Sequence, residues 1–470
     1  MINQQVSRHP SGLKVLFFTE MWERYSYYGM RALLVLYLVT SLNLSEANAL
    51  HIYAVYTGLV YLTPIFGGYL ADRFLGPQKA IFIGGITMII GHFLMAFPDY
   101  LYLAMGLLII GNGYFKPNIS TLLGSLYKKN DIRRDSGFSF FYVGINLGAF
   151  LAPITIGLIG ETVNWHYGFG IAGLGMCIGL IQFWIGQKHL IREDFSKKTK
   201  LLNFKDWALI LSLSFVNIPI TLSFLALNNI FTIYFYEILS VLILLTIILK
   251  LKKSSNKKYN YNDLKKITYI GLLSIFVIFF WIGFEQAGGS LTLYANSNID
   301  RTIFGLLIPA SFFQAINPMI IILLGPLIAK LWLKIDNSNY RISTTKKMGL
   351  GLILLGTGFL LLSFVSNSNT IIISFWWLIA VYFLHTMGEL CLSPIGLSMV
   401  TRVSPKKLAS LMMGFWFLSS AVANYMAGKL PIILNSLNIN LFGFLTLTSF
   451  ISGLILILIA PFIEKLINKS

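Results

Sequence analysis

The stretch TEMWERYSYYGMRALL, Thr19 to Leu34, sets two carboxylates and two guanidiniums into a run otherwise apolar enough to cross a bilayer. A charged side chain at the centre of a bilayer helix costs roughly 3 kcal/mol even on the lenient insertion scale. At about 100° per residue, Glu20, Glu23, Arg24, Tyr27, Tyr28 and Arg31 fall within an arc of roughly 140° on one helix face. Met21, Trp22, Tyr25, Gly29 and Leu33 take the rest of the circumference. Such a stripe has to face a protein interior or a water-filled cavity, not lipid. A purely structural ladder of ion pairs would also satisfy it. The stripe, however, runs from near one end of the span past its middle, which suits the lining of a path.

The other deep charges supply partners. Of the 18 acids most sit in loops or near helix ends; Glu20, Glu23, Glu237, Glu285 and Glu389 do not, and the deep bases are Arg24, Arg31 and Lys116. Left unpaired, these charges would cost on the order of 20 kcal/mol, more than a typical domain's whole stability. They must pair, hydrate or change protonation state, and a carboxylate beside a base in low dielectric can do each in turn. That chemistry suits a proton-coupled carrier: acids that take up a proton when their partner leaves, and fixed charges that hold a charged solute. Lys116 lies in GNGYFKPNIS, where Gly111, Gly113 and Pro117 permit bending. Trp281 precedes Glu285 by one turn in FFWIGFEQAGG. Glu389 is flanked at i−4 by His385 and at i+4 by Ser393, just before Pro394. Tyr142 and Asn146 are i,i+4, and Asn317 precedes a proline. Singly these read as packing; with the deep charges they point to a central polar cavity with aromatic walls. Glu237 reads as a packing or snorkelling group, and His385 as a packed, neutral one.

The elements that must carry these residues follow from composition. Hydrophobic residues make up 56% of the 470 and charged ones 11%, too apolar for a soluble globular domain. Apolar runs predict spans near 14–39, 48–71, 79–97, 100–123, 137–160, 166–187, 207–227, 229–250, 267–295, 303–333, 348–366, 370–401, 407–431 and 439–463. The fold class is therefore all-α and polytopic, with about fourteen transmembrane helices of about 20 residues or more. No cleavable signal is expected, because the first apolar run is long, charged and without a small-residue cleavage site. Loops such as LYKKNDIRRDSG and KLKKSSNKKYNYNDLKK alternate with nearly base-free ones such as TSLNLSEANA and GETVNWH. The positive-inside rule makes the basic set, and both termini, cytoplasmic. The net charge of +18 is thus a topology signal and not a nucleic-acid footprint. The two cysteines, Cys177 and Cys391, lie in apolar runs and offer neither a disulfide framework nor metal spacing.

GGYLADRFLG, with Asp72 and Arg73, joins the second and third spans, and GPLIAKLWLK at the end of the tenth is a faint echo of it. The first resembles the loop signature of the major facilitator superfamily, which implies six-helix halves at 1–190 and 267–470. The segment 191–266 then holds the cytoplasmic loops and an inserted hairpin. EMWERYSYYGMR, GGYLADRFLG, GNGYFKPNIS, FYVGINLG, FEQ, FFQAINP and GELCLSPIGLSMV, in this order along almost the whole chain, resemble the proton-dependent oligopeptide transporter family. Tyr25 departs from that family's usual Phe after E-x-x-E-R, while the charged positions are intact.

The resemblance implies a bacterial symporter importing di- and tripeptides with protons by rocker-switch alternating access. It implies that Glu20 and Glu23 with Arg24 couple protons, and that Arg24 and Lys116 face the peptide carboxylate. Glu389 would receive the peptide ammonium, assisted by Asn146 and Asn317. Glu285 would alternate between pairing with Arg31 or Lys116 and release. Tyr27, Tyr28, Tyr61, Trp281 and Trp416 would shape side-chain pockets, with Ser393 beside Glu389 in the substrate site and Asp72–Arg73 as a gating loop. No cofactor or metal is expected beyond the coupling proton. A functional monomer in the bacterial inner membrane is expected, with the lipid bilayer, peptide and protons as its partners and no nucleic acid. Relatives on the same fold carry nitrate or other small solutes, amino acids or drugs among them, but the intact stripe favours peptide. A membrane enzyme would need more than the single His385–Glu389 pair, and a channel or receptor would not concentrate solute.

Overall fold

The computed structural model describes residues 9–128, 131, 133–190, 203–204, 261–338, 342–366, 372–405 and 409–468. The expected hairpin at 207–250, with Glu237, lies outside the described residues. Elsewhere each expected span is occupied mainly by helix, and the strands among the described residues are four pieces of two residues each. Among the described residues nine helices are long and apolar enough to cross a membrane.

The described residues group into two compact units. The first draws on Met1–Leu44, Leu59–Ser223 and Arg301–Ile322, the second on Ser45–Gly58, Phe224–Asp300 and Leu323–Ser470. Each therefore takes most of one sequence half together with a short segment of the other.

In the first unit, α1 (Gly12–Leu36) is buried almost along its whole length, against α6 (Arg134–Ala152) and α8 (Trp165–Gly186). Burial on so many sides is what a helix carrying both an apolar face and a charged stripe requires. The segment Glu46–Leu62 (α2) leads through Thr63 into α3 (Pro64–Leu70), which packs on α5 (Leu101–Ser125). Thr63 Oγ1 donates to the Ile109 carbonyl at 2.9 Å. A Cβ on Gly67 would overlap the Gly113 backbone, so glycine is what lets α3 and α5 touch main chain to main chain. That contact lies one turn before Lys116. The π-helical turn Ala71–Leu75 then presents Asp72 and Arg73 to solvent, and Gly76 at φ 75° turns the chain into α4 (Pro77–Leu94). The span expected at 137–160 is α6, the π-helical turn Pro153–Gly157 and α7 (Leu158–Thr162).

In the second unit the helix Tyr261–Phe284 starts earlier than the expected 267 and breaks at the 3-10 turn Glu285–Gly288 before resuming at Ser290–Asn298. It packs against Ala409–Ser436 and Leu441–Asn468, while Thr344–Ser366 packs on Phe375–Val403 and Leu441–Asn468. The short parallel pair Ile299–Asp300 with Ile373–Ser374 ties two connections of this unit together.

The helix expected to begin at 303 is corrected. Thr302–Ile303 pairs antiparallel with Leu306–Leu307 across Phe304 and Gly305, at φ 50° and 78°. Two central residues at positive φ match the twist of a two-residue hairpin. Pro309, extended at φ −53° and ψ 141°, then delays the 3-10 segment to Ala310–Ala315 and the α-helix to Ile316–Asp336. Apolar residues at 303–308 extend the hydropathy of the span without carrying a helical period.

Candidate functional site

The charged stripe of α1 meets α5. Arg24 lays its fork on the neighbouring Glu23: Nε donates to Oε2 at 2.5 Å and Nη2 to Oε1 at 2.6 Å. A two-bond guanidinium–carboxylate pair fixes orientation as well as charge. Asn112 of α5 adds a third donor, its Nδ2 reaching Glu23 Oε1 at 3.2 Å. Glu20 Oε1 carries the other two contacts, an ion pair with Lys116 and a longer one of 3.5 Å with Arg24 Nε. Glu20 Oε2 accepts no hydrogen bond among the described residues. Both glutamates are fully buried, and two cations balance two anions. Neutral as a set, the quartet survives in low dielectric; withdrawing one cation strands a carboxylate, which a proton can neutralise.

The stripe continues upward as a cation–aromatic run. Arg24 Cζ lies 4.9 Å and 5.8 Å from the ring centres of Tyr27 and Tyr28, and Arg31 Cζ lies 5.9 Å from Tyr28. Glu20, Glu23, Arg24, Tyr27, Tyr28, Arg31 and Lys116 are thus linked through successive contacts, with Lys116 on Glu20 and not on the expected Glu285. Of the other expected residues in this unit, Asn146 is buried and spends its Nδ2 on the Tyr142 carbonyl of its own helix at 3.0 Å. Tyr61 and Asn317 are half-buried, at the end of α2 and in the first turn of Ile316–Asp336. Arg73 donates to the Tyr69 hydroxyl at 2.5 Å on the exposed turn it shares with Asp72.

The second unit holds Trp281, Glu285, Glu389, Ser393 and Trp416. Glu285 is buried at the point where its helix changes from α to 3-10. Trp281, one turn earlier, meets Phe280 and Phe284 edge-on at 5.5 and 5.2 Å. Glu389 is buried in the middle of Phe375–Val403, and Ser393 is half-buried one turn on. Trp416 is buried against the bare backbone of Gly396. His385 is buried with its ring centre 4.5 Å from that of Phe359.

Sequence reading passed over several polar groups. Asn112, one turn before Lys116, had its signal in that i,i+4 spacing, yet a lone asparagine between glycines reads as packing. Gln286 braces the break beside Glu285: its Nε2 donates to the Ala427 carbonyl at 2.9 Å and to Ile282 at 3.0 Å, and its Oε1 accepts from Ser290 at 2.8 Å. Lys429 is buried within Ala409–Ser436, and Lys347 pairs with Asp336 at 2.6 Å. Among the described residues no group of three or more His, Cys, Asp or Glu could hold a metal ion.

Long apolar helices organised around buried ion pairs define a multi-pass membrane protein whose charges serve its interior. Residues 78–444 match the POT family. The di-/tripeptide transporter of Lactococcus lactis subsp. cremoris is 36% identical over 482 residues, covering 98% of this chain and 97% of that protein. The uncharacterised transporter YclF of Bacillus subtilis (strain 168) is 36% identical over 469 residues, covering 97% and 95%. A crystal structure of the peptide transporter POT in complex with alafosfalin is 35% identical, covers 98% of this chain and 96% of that one, and superposes with a TM-score of 0.85. The chain belongs to the POT family of proton-dependent oligopeptide transporters.

Proposed function

We propose that this protein imports di- and tripeptides together with protons by rocker-switch alternating access of its halves, 1–190 and 267–470. The buried quartet Glu20, Glu23, Arg24 and Lys116 carries this reading. In the resting quartet both acids are paired. When Lys116 turns to a peptide carboxylate, Glu20 loses its cation and takes a proton, Oε2 being the oxygen without a donor among the described residues. Return of Lys116 expels the proton, so proton and peptide move in step.

Arg24 and Lys116 then hold the carboxylate end, Glu389 holds the ammonium end, and Asn146 and Asn317 steady the backbone. Tyr27, Tyr28, Tyr61, Trp281 and Trp416 form side-chain walls, Ser393 supports Glu389, and Arg31 exchanges pairing with Glu285. A zwitterion with its charges at a fixed separation suits such a bipolar site. The names of the relatives support the substrate class. The remaining features are about fourteen spans in a bacterial inner membrane, cytoplasmic termini, a working monomer and neither catalytic activity nor a cofactor beyond the proton. One proton entering down about 150 mV releases roughly 3.5 kcal/mol, enough for a few hundred-fold accumulation. Labelled dipeptide uptake into proteoliposomes under an imposed proton gradient tests the proposal. Accumulation of dipeptide that collapses with a protonophore is expected; accumulation of nitrate or a free amino acid instead would overturn it.

A further inference from the structure

Arg301–Ile322 follows the inserted hairpin in sequence, yet it is built into the first unit, and the helix Ile316–Asp336 leaves that unit partway along. What holds the segment there is a carboxylate. Glu161 at the end of α7 accepts two backbone hydrogen bonds across a sequence gap of 149 and 150 residues, from Ala310 N–H to Oε2 at 2.8 Å and from Ser311 N–H to Oε1 at 2.9 Å. These are donors that the start of the 3-10 segment leaves unpaired within itself. Arg301 Nη1 stands 3.9 Å from Glu161 Oε2 while also donating to the Ile308 carbonyl at 2.9 Å, so the guanidinium braces both the acid and the hairpin. Beneath the acid, Gly157 lies flush with Ser311, where a Cβ would collide with the serine side chain.

We propose that Glu161 is a gating residue, a latch that keeps 301–322 docked and the non-cytoplasmic side of the carrier shut. The proposal rests on the transport reading above: with cytoplasmic termini and alternating spans, GETVNWH after the fifth span and the Arg301 connection after the ninth both face away from the cytoplasm. A carboxylate on a helix start is often a static cap. Here the capped donors belong to the other sequence half, so every cycle that parts the halves on this side must break both bonds and the Arg301 contact. Water can then solvate the exposed donors and the acid alike, which makes the latch reversible.

The test reads accessibility rather than uptake. Ser311 is fully buried and its Oγ has no hydrogen-bond partner among the described residues, so Ser311→Cys forfeits no bond, and because Gly157 packs closely on this side chain the unfolding of S311C is compared with that of the wild type. With Cys177 replaced by serine and the buried Cys391 kept as an internal control, a membrane-impermeant maleimide is added outside proteoliposomes. Slow labelling of S311C is expected, rising about ten- to hundredfold when Glu161→Gln or Glu161→Ala removes the charge-assisted bonds. Cys391 should stay unreacted in every variant. Equal S311C labelling with and without Glu161 would overturn the latch, and so would parallel labelling of Cys391, which would mean general loosening. Labelling needs no peptide, so a failure of the transport reading would show separately, as absent dipeptide uptake by the wild-type protein.

Discussion

Removing Lys116 while leaving Glu20 in place tests the quartet most directly. Glu20 is fully buried, whereas the Lys116 side chain keeps 30% of its surface exposed. Lys116→Met deletes the cation at similar length and leaves Glu20 leaning on Arg24 at 3.5 Å, a guanidinium already committed to Glu23 at 2.5 Å. Breaking a buried pair from one side costs about 3–5 kcal/mol. Partial exposure of Lys116 lets water follow it, which sets the expected loss near the lower end, about 3 kcal/mol. Glu20→Gln alone strands the lysine, but that group can turn toward water, so about 1–2 kcal/mol is expected. Glu20→Gln with Lys116→Met removes both charges together. Replacing a whole buried pair is often close to neutral, so the double variant should recover most of the loss and cost about 1 kcal/mol, a coupling energy of about 3–4 kcal/mol. Denaturant unfolding of the four purified proteins at one pH, followed by tryptophan fluorescence, measures the cycle. Additivity within about 0.5 kcal/mol would refute a shared buried pair and, with it, the exchange on which proton uptake is argued.

Glu23→Gln keeps size but removes the anion that holds Arg24, freeing that guanidinium to pair with Glu20 when Lys116 leaves, so no proton is needed there; gradient-driven accumulation should vanish while peptide binding stays measurable by calorimetry. Gly67→Ala forces a methyl against the Gly113 backbone, where no flexible side chain can yield, and should cost about 1–3 kcal/mol in unfolding experiments. It should also weaken peptide binding, because Lys116 lies one turn further along α5. Blocking a peptide end removes one charge-assisted contact, so N-acetylation or C-amidation should weaken binding roughly ten- to hundredfold. Glu389→Gln should diminish the first penalty and Lys116→Ala the second; crossed penalties would mean that the peptide binds the other way round.

Helical spans were legible because a bilayer demands runs of apolar residues and satisfied backbone, and both leave marks in one dimension. What the runs hid is local. Pro153 and the π-helical turn that it opens pass unnoticed in a continuous apolar stretch. Leu306 and Leu307 raise hydropathy whether they stand in a strand or a helix, so hydropathy alone extends a span over most of the hairpin, from 303 on. Its one signal was Gly305 four residues before Pro309, and a glycine alone does not separate a bend in a helix from a turn.

The site was legible where polarity was dear and obscure where it was cheap. A glutamate or lysine deep in an apolar run has to be justified, so Glu20, Glu23, Arg24 and Lys116 stand out as charges that need partners, while the pairing of Lys116 with Glu20, where the sequence suggested Glu285, shows only in three dimensions. Asn112 and Gln286 carry no such penalty at a distance, because an amide can bond its own helix, as Asn146 does with Tyr142. Only three dimensions tell an amide that braces a carboxylate from one that folds back. Glu161 was hidden for a different reason. It lies at a helix end, where an acid needs no explanation, and its partners are two main-chain N–H groups that every non-proline residue possesses. A contact made by backbone leaves no residue type to search for, so gates of this kind stay invisible to sequence even when the charges they serve stand out from it.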